Sequence, residues 1–320
     1  MNLKNQIHSK DFIIVKKIAV ITPIVHLKGI YDLLLTKGDV FLLEKGNKNQ
    51  VKKLLLEKDI NVIVCNPNHQ NYKIDEELLN GTQVNIINSC STGLNHIDLE
   101  YCKKNNIKIQ CHKNDYELIN QLPSTSELAF GLMLSLLRNI PECNNHVSGY
   151  YWDYTQFMGR QVKDLKIGII GYGRLGKMME GYCKSFGAKT FIYDPYVNIS
   201  QTSLEVMFKK CDVISLHVHV TDETKYMINQ KLLGLSKKGL YLVNTSRGEI
   251  VNEEDIVQSL NNKNLLGYGT DVIEDEFNDI TNSPIIKAMN EGKNIIITPH
   301  VGGMTIEGQT KAYKWSINKL

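Results

Sequence analysis

Gly171, Gly173 and Gly176 follow the spacing G-x-G-x-x-G in the stretch GYGRLG, between the apolar run KIGII and the helical pattern RLGKMMEGYCKSFG. Glycines so placed suit an anion. The first permits a tight turn, the second lets backbone approach a pyrophosphate, and the third lets helix and strand pack closely. The helix that starts there aims unpaired N–H groups and a partial positive charge at the same spot. The next apolar run ends in Asp194, and 194 − 176 places it 18 positions on. That is close to the ~20 expected of a carboxylate that accepts from a ribose hydroxyl. The combination implies a dinucleotide. Asp194 favours NAD, because a carboxylate repels the extra phosphate of NADP and the following Pro195 and Tyr196 bring no cation.

The elements around this turn set where other polar groups can meet. In the first part of the chain, the Val- and Ile-rich runs KKIAVIT, GDVFLLE, INVIVCN, VNIINSC and IKIQ alternate with helical patterns in LKGIYDLLLTKG, NQVKKLLLEKD and IDLEYCKKNN. The alternation resumes later with KIGIIG, KTFIYD, DVISLHV, GLYLVNTS, LLGYGTDV and NIIITPH as strands. Strand–helix alternation means βαβ units and parallel sheets. The expected fold is α/β, two Rossmann-like domains with cofactor and substrate in the cleft between them. Residues 1–120 would form a substrate domain completed by 302–320, and residues 121–301 an NAD-binding domain. In a doubly wound sheet the carboxyl ends of the strands line the ligand crevice. Arg247, Glu276 and His300 lie at such ends, in VNTSRGEIVNEEDI, GYGTDVIEDEF and IITPHVGG. They can therefore converge, and a guanidinium, a carboxylate and an imidazole together can bind an anion and move a proton.

Between the two halves runs LPSTSELAFGLMLSLLRNIPE. Ser124 or Thr125, followed by Glu127, predicts a capped helix start. The helix is apolar almost all round and is expected to be buried between domains or subunits. Pro141 is placed just past its end, and CNNHVSGYYWDYTQFMGRQ after it reads as a polar, aromatic arm. The helix and the aromatics Tyr150, Tyr151, Trp152 and Tyr154 predict a homodimer.

Composition narrows the function. The 320 residues suffice for two domains, and 42% hydrophobic with 22% charged residues is the balance of a globular protein. A net charge of +3 argues against a nucleic-acid partner. The apolar run LAFGLMLSLL is too short to span a bilayer, and MNLKNQIHSK lacks the apolar core of an export signal. Seven scattered cysteines without a C-x-x-C pair indicate reduced thiols, a cytoplasmic location and no metal site.

The stretches GIIGYGRLGK, YDPY, CDVISLHV, LVNTSRGEIVNEEDIVQSL, GTDVIEDE and TPHVGG, in that order, resemble the NAD-dependent D-isomer-specific 2-hydroxyacid dehydrogenases, and STGLNHIDL resembles their substrate loop. The likeness runs from about Ile86 to Gly303. It implies hydride transfer between NAD and a small D-2-hydroxyacid or 2-keto acid. It makes His300 the general acid/base, Glu276 its partner, and Arg247 the group that binds the substrate's carboxylate or keto oxygen. Ser91, Thr92 and Gly93 would receive the substrate carboxylate on their backbone. Gly171, Tyr172, Gly173, Arg174, Leu175, Gly176 and Asp194 would hold the pyrophosphate and ribose of NAD. His217, Val218 and Thr125 would line the cofactor, and Thr245, Ser246, Asp271, Gly302 and Gly303 would lie toward its nicotinamide end.

Some readings stay open. Glu274 competes with Glu276 within the acidic run, and Phe277 stands where the family usually has proline. His219 likewise replaces a usual proline, and the stretch after His300 is shorter than usual. An NAD-sensing, corepressor-like binding protein on the same scaffold is the alternative function. The residues do not choose among 2-hydroxyacids, and relatives that oxidise formate or phosphite carry similar motifs.

Overall fold

The computed structural model describes residues 15–67, 72–199, 202–276 and 279–320. MNLKNQIHSK and Phe277 lie outside them. The chain forms two compact units, one from residues up to Ile119 together with Gln309–Leu320, the other from Asn120–Gly308.

The first unit begins β1 (Lys16–Val20), α1 (Ile30–Leu35), β2 (Gly38–Leu42), α2 (Lys48–Glu57) and β3 (Val62–Cys65). It continues α3 (Glu76–Leu79), β4 (Ile86–Ser89), α4 (Leu99–Lys104), β5 (Lys108–Gln110) and α5 (Tyr116–Ile119). The strands pair in the order β2-β1-β3-β4-β5, all parallel. Successive strand residues point to opposite faces, so the sheet has a core on each side. Ile18, Val20, Val62 and Val64 pack with Ile30 and Leu34 of α1, whereas Ala19, Ile63 and Cys65 pack with Val51 and Leu55 of α2.

The C-terminal helix of the chain, residues Ile306–Asn318, adds Tyr313 and Ile317 to the first of these cores. It is also fastened by polar groups. Asn88 and Ser316 are fully buried. Ser316 Oγ donates to Asn88 Oδ1 at 2.6 Å, and Asn88 Nδ2 donates to Ser316 O at 2.9 Å and to Gln110 Oε1 at 2.8 Å.

The second unit starts with α6 (Ser124–Leu137) and α7 (Ile140–Ser148), then β6 (Lys166–Ile170), α8 (Arg174–Ser185), β7 (Lys189–Tyr193), α9 (Leu204–Lys210) and β8 (Val213–Leu216). It continues α10 (Gln230–Leu233), β9 (Leu240–Asn244), α11 (Glu253–Asn261), β10 (Leu265–Thr270), α12 (Pro284–Asn290) and β11 (Ile295–Ile297). The order is β11-β10-β9-β8-β6-β7, again all parallel. The chain leaves β6 to one side for β7 and returns to the other for β8, so the strand order reverses between β6 and β8. Ligands of such sheets bind outside the carboxyl ends at that reversal.

Two local expectations need correction. Helix α6 is not opened by a side-chain cap: its N-cap is Pro123, in helical backbone, with no side-chain cap bond. Ser124 Oγ is instead paired with Thr305 Oγ1 at 2.8 Å. Pro141 stands just past the end of α6, as expected, and within the first turn of α7, whose early N–H groups have no intrahelical partner to lose. The front of the expected arm is therefore helical. The apolar α6 buries Ser126, Ala129, Leu132, Met133, Leu136 and Leu137, while Leu128, Phe130 and Leu134 are partly exposed.

Candidate active site

The glycine turn follows β6. Gly171 has φ +89°, and a Cβ there would sit 2.3 Å from the carbonyl oxygen of His217. The closeness comes from the ladder, since His217 N–H donates to Ile170 O at 2.7 Å. A Cβ at Gly176 would meet Gly171 O at 2.0 Å, so the start of α8 lies directly on the turn. Gly173 differs: nothing lies within 4 Å of an added Cβ. It is the N-cap of α8, with no side-chain cap and no acidic residue in the first turn. The opening amides of α8, at Arg174, Leu175 and Gly176, have no i−4 carbonyl to bond, so they remain available to an anion.

Asp194 stands just past β7. Its carboxylate accepts from Tyr172 N at 2.7 Å and from Tyr196 N at 3.0 Å, which fixes its position beside the turn. The Tyr172 hydroxyl donates to Glu180 at 2.5 Å, and that acceptor pushes the phenol up to about 12. Arg174 turns its side chain to the carbonyl of Leu122 and leaves only its backbone toward the turn. Ser126 Oγ donates to Leu175 O at 3.0 Å and ties α6 to the start of α8.

After β8, His217 pairs its Nε2 with Ser215 Oγ at 2.9 Å. Desolvation pushes its imidazole down to about 4, so the ring is neutral near pH 7. Its Nδ1 is sheltered from solvent without a partner among the described residues. Val218 stands against the glycine turn, and His219 is exposed. After β9, Thr245 is buried with its hydroxyl also unpartnered there. The Ser246 hydroxyl donates to Leu216 O at 2.8 Å. Buried polar atoms ordinarily find partners. His217 Nδ1, after β8 at the reversal, and Thr245 Oγ1, after the neighbouring β9, are the kind of atoms a bound cofactor satisfies.

Arg247 comes next, extended, with Nη1 donating to Ser246 O at 2.6 Å and no ion pair among the described residues. Gly248 then packs backbone against backbone: a Cβ on it would sit 2.1 Å from the carbonyl carbon of Ile273 and 2.2 Å from Glu274 N. The loops after β9 and β10 are thereby pressed together, with Arg247 on one and Glu276 on the other.

His300 follows β11. Its Nδ1 lies 2.7 Å from Glu276 Oε1, the side chains being 27% and 17% exposed, enough for a reactant to reach them. Of the two candidate carboxylates, Glu276 therefore meets the imidazole, whereas Glu274 accepts from the Tyr226 hydroxyl. His300 holds a left-handed backbone at φ +53°. Asp271 is what supports that conformation. Its carbonyl accepts from His300 N at 2.9 Å, and its carboxylate accepts from Thr298 Oγ1, Val301 N and Gly302 N at 2.5, 2.8 and 2.7 Å. Burial pushes the Asp271 carboxyl up, against the pull of those donors. Gly302 also abuts Thr125, while Gly303 has open space around it.

In the first unit Ser91, Thr92 and Gly93 follow β4. Ser91 Oγ donates to Gly93 O at 2.8 Å. Their three backbone amides have no partner among the described residues. Below them, His96 Nε2 lies 3.4 Å from Ser89 Oγ and 3.5 Å from Cys65 Sγ, and burial pushes this imidazole down to about 4.

Residues 130–302 match the family described as D-isomer specific 2-hydroxyacid dehydrogenase, NAD binding domain, and residues 32–116 match the catalytic domain of the same family. The chain belongs to this family. The family is one of D-isomer specific 2-hydroxyacid dehydrogenases, and residues 130–302 are its NAD-binding domain. Glyoxylate reductase of Thermococcus litoralis is 32% identical over 253 residues, covering 74% of this chain and 73% of that one. D-3-phosphoglycerate dehydrogenase of Bacillus subtilis is 28% identical over 246 residues, covering 74% of this chain and 45% of that one. The chain thus spans about half the length of the phosphoglycerate dehydrogenases it matches. Among solved structures, D-lactate dehydrogenase of Aquifex aeolicus, in complex with NAD and lactic acid, superposes with a TM-score of 0.72 at 28% identity, covering 95% of this chain and 94% of that one. The open space at Gly173, the uncapped start of α8 and the fixed Asp194 carboxylate fit the pyrophosphate and ribose of NAD.

Sequence reasoning passed over Gly248, Tyr226 and Glu253 as site-building residues. The first was quoted inside a motif for its neighbour Arg247. Partners 21 and 30 residues ahead in the sequence give Glu253 its place, and no local pattern points to them.

Proposed function

We propose that the chain interconverts a small 2-keto acid and its D-2-hydroxyacid with NAD(H), His300 acting as general acid/base. The observation that carries this reading is the 2.7 Å contact between His300 Nδ1 and Glu276 Oε1 at the carboxyl ends of β10 and β11. A carboxylate on Nδ1 selects the tautomer and assigns proton exchange to Nε2. In reduction Nε2–H gives its proton to the keto oxygen, and in oxidation Nε2 takes the hydroxyl proton. Arg247, which pairs with no carboxylate of its own unit among the described residues, binds the substrate's carboxylate or keto oxygen and steadies the charge that develops on oxygen. Bound NAD supplies or accepts the hydride. The backbone amides of Ser91, Thr92 and Gly93 receive the substrate carboxylate. Asp271 holds the His300 loop, and Thr245, toward the nicotinamide end, and His217, beside the cofactor, offer polar atoms that no other described residue engages.

The reading includes a homodimer, supported by an exposed run in which Tyr150, Trp152, Tyr154 and Met158 are 100%, 90%, 87% and 89% accessible. It also includes a cytoplasmic location, supported by cysteines that are all free thiols. Among the described residues no helix is long and apolar enough to cross a membrane.

The test is NADH consumption with a panel of 2-keto acids: glyoxylate, pyruvate, hydroxypyruvate, its phosphorylated form and larger sugar acids. Turnover on at least one is expected. NADH binding with no turnover on any would replace the enzyme by an NAD-sensing protein.

A further inference from the structure

Glu253 opens α11 and is only 3% exposed. Its neighbours Glu254 and Asp255 lie in the same first turn, where any carboxylate complements the helix dipole. That role would not require burial, and burying a carboxylate is costly without partners. Burial pushes the Glu253 carboxyl up, as do the nearby Glu274 and Glu254 charges, and two hydrogen bonds oppose them. Those bonds show what the carboxylate does. Oε1 accepts from the backbone N–H of Glu274 at 2.9 Å, and Oε2 accepts from the Ser283 hydroxyl at 2.9 Å. Glu274 lies two residues before Glu276. Ser283 caps α12 on the far side of the same segment. One buried side chain thus joins the two ends of the stretch that carries the partner of His300.

The chain between Glu274 and Glu276 needs such support. Asp275 has φ +54°, a left-handed conformation that strains a non-glycine residue. With the Glu274 amide released, Asp275 can relax to ordinary backbone, and that rotation carries the Glu276 carboxylate away from the imidazole. Gly248 and Tyr226 also meet Ile273 and Glu274, but among the described residues neither is hydrogen-bonded to Ser283.

We propose that Glu253 is a positioning residue for catalysis, a buried double acceptor that sets Glu276 against His300 Nδ1. The inference rests on the His300–Glu276 reading above. Removing a support that places a reacting group can cost about 10²-fold in rate for a displacement near 1 Å. In Glu253→Ala, kcat is expected to fall about 10- to 100-fold, with the affinity for NADH, titrated by its fluorescence, unchanged. Glu253→Gln keeps an acceptor oxygen for the Glu274 amide and is expected to recover most of that loss. A residue that merely supports the fold would add its cost to any other change. A residue that acts through Glu276 would not, so Glu253→Ala is expected to cost no further kcat in a Glu276→Gln background.

Circular dichroism checks folding. Should Glu253→Ala not fold, Ser283→Ala releases one end alone and is expected to give a smaller loss with the same non-additivity. Unchanged kcat in the folded variants overturns the proposal, and so does a full additive loss on top of Glu276→Gln. If Glu276→Gln or His300→Ala is itself fully active, the reading of the catalytic pair fails instead, and the two failures are told apart by those parent variants.

Discussion

Gly171 and Gly173 lie two positions apart in one motif, and the structure assigns them opposite liabilities. Alanine at 171 must adopt φ +89°, which costs a non-glycine residue roughly 1–2 kcal/mol. Its Cβ would also press to 2.3 Å from the His217 oxygen and 2.6 Å from the carbonyl carbon. Both atoms belong to backbone that is hydrogen-bonded to β6, so the clash is relieved only by parting β6 from β8. Overpacking of this kind adds about 1–3 kcal/mol. The sum, roughly 2–5 kcal/mol, is a large share of the 5–15 kcal/mol that typically holds a domain. Alanine at 173 meets nothing within 4 Å and sits at φ −71°. Replacing glycine by alanine at this N-cap should cost less than about 1 kcal/mol of stability. The new methyl does, however, occupy space that a pyrophosphate must approach. A clash of about 1–3 kcal/mol there weakens NADH about 5- to 150-fold. Chemical denaturation and NADH fluorescence titration separate the two effects. Gly171→Ala is expected to lose stability, and Gly173→Ala affinity alone. Equal destabilisation of both variants, or wild-type NADH affinity in Gly173→Ala, would refute the assignment.

Other outcomes follow from buried polar groups. His96 titrates at about 4 when folded, below the unfolded value near 6.5, so the unfolded chain binds the proton more strongly. Its stabilising effect is complete above pH ~6.5 and is lost as pH falls toward 4, a span of about 2.5 pH units at about 1.4 kcal/mol each, roughly 3.5 kcal/mol. His96→Gln should remove about 2 kcal/mol of the stability difference between pH 7 and pH 5. An imidazole that titrates near 6.5 by NMR in the folded protein would contradict this. Asn88→Ala strips two hydrogen bonds between β4 and the C-terminal helix and one to Gln110 of β5, leaving buried groups unpaired at about 1–3 kcal/mol each. A fall in the unfolding midpoint equivalent to at least about 2 kcal/mol is expected, and a neutral effect would mean the joint is held by Tyr313 and Ile317 alone.

The strands were legible because each is a short Val- and Ile-rich run between turn residues, and the order of motifs fixed the family. Legibility failed where a local signal had two uses. Pro141 does follow the end of α6, but proline is equally at home in a first turn, so the same residue opens α7 where an arm was expected. Ser124 has the composition of a cap, but Thr305, 181 residues away, engages its hydroxyl. The acidic run EDEF could not separate Glu274 from Glu276, because the choice depends on the left-handed turn at Asp275 and on Tyr226, Gly248 and Glu253 around it. His300 was legible from its strand-end place, whereas its support by Asp271 was not: the carboxylate reaches forward to three donors between Thr298 and Gly302.

The steady-state rate of His300→Ala with NADH and the best 2-keto acid bears most directly on the chemistry assigned to the second unit. Loss of a positioned acid/base group should lower kcat by about 10²- to 10⁴-fold, with NADH bound as tightly as by the unaltered protein. Turnover at an undiminished rate would remove the imidazole from the reaction and leave the Glu276 contact without a catalytic meaning.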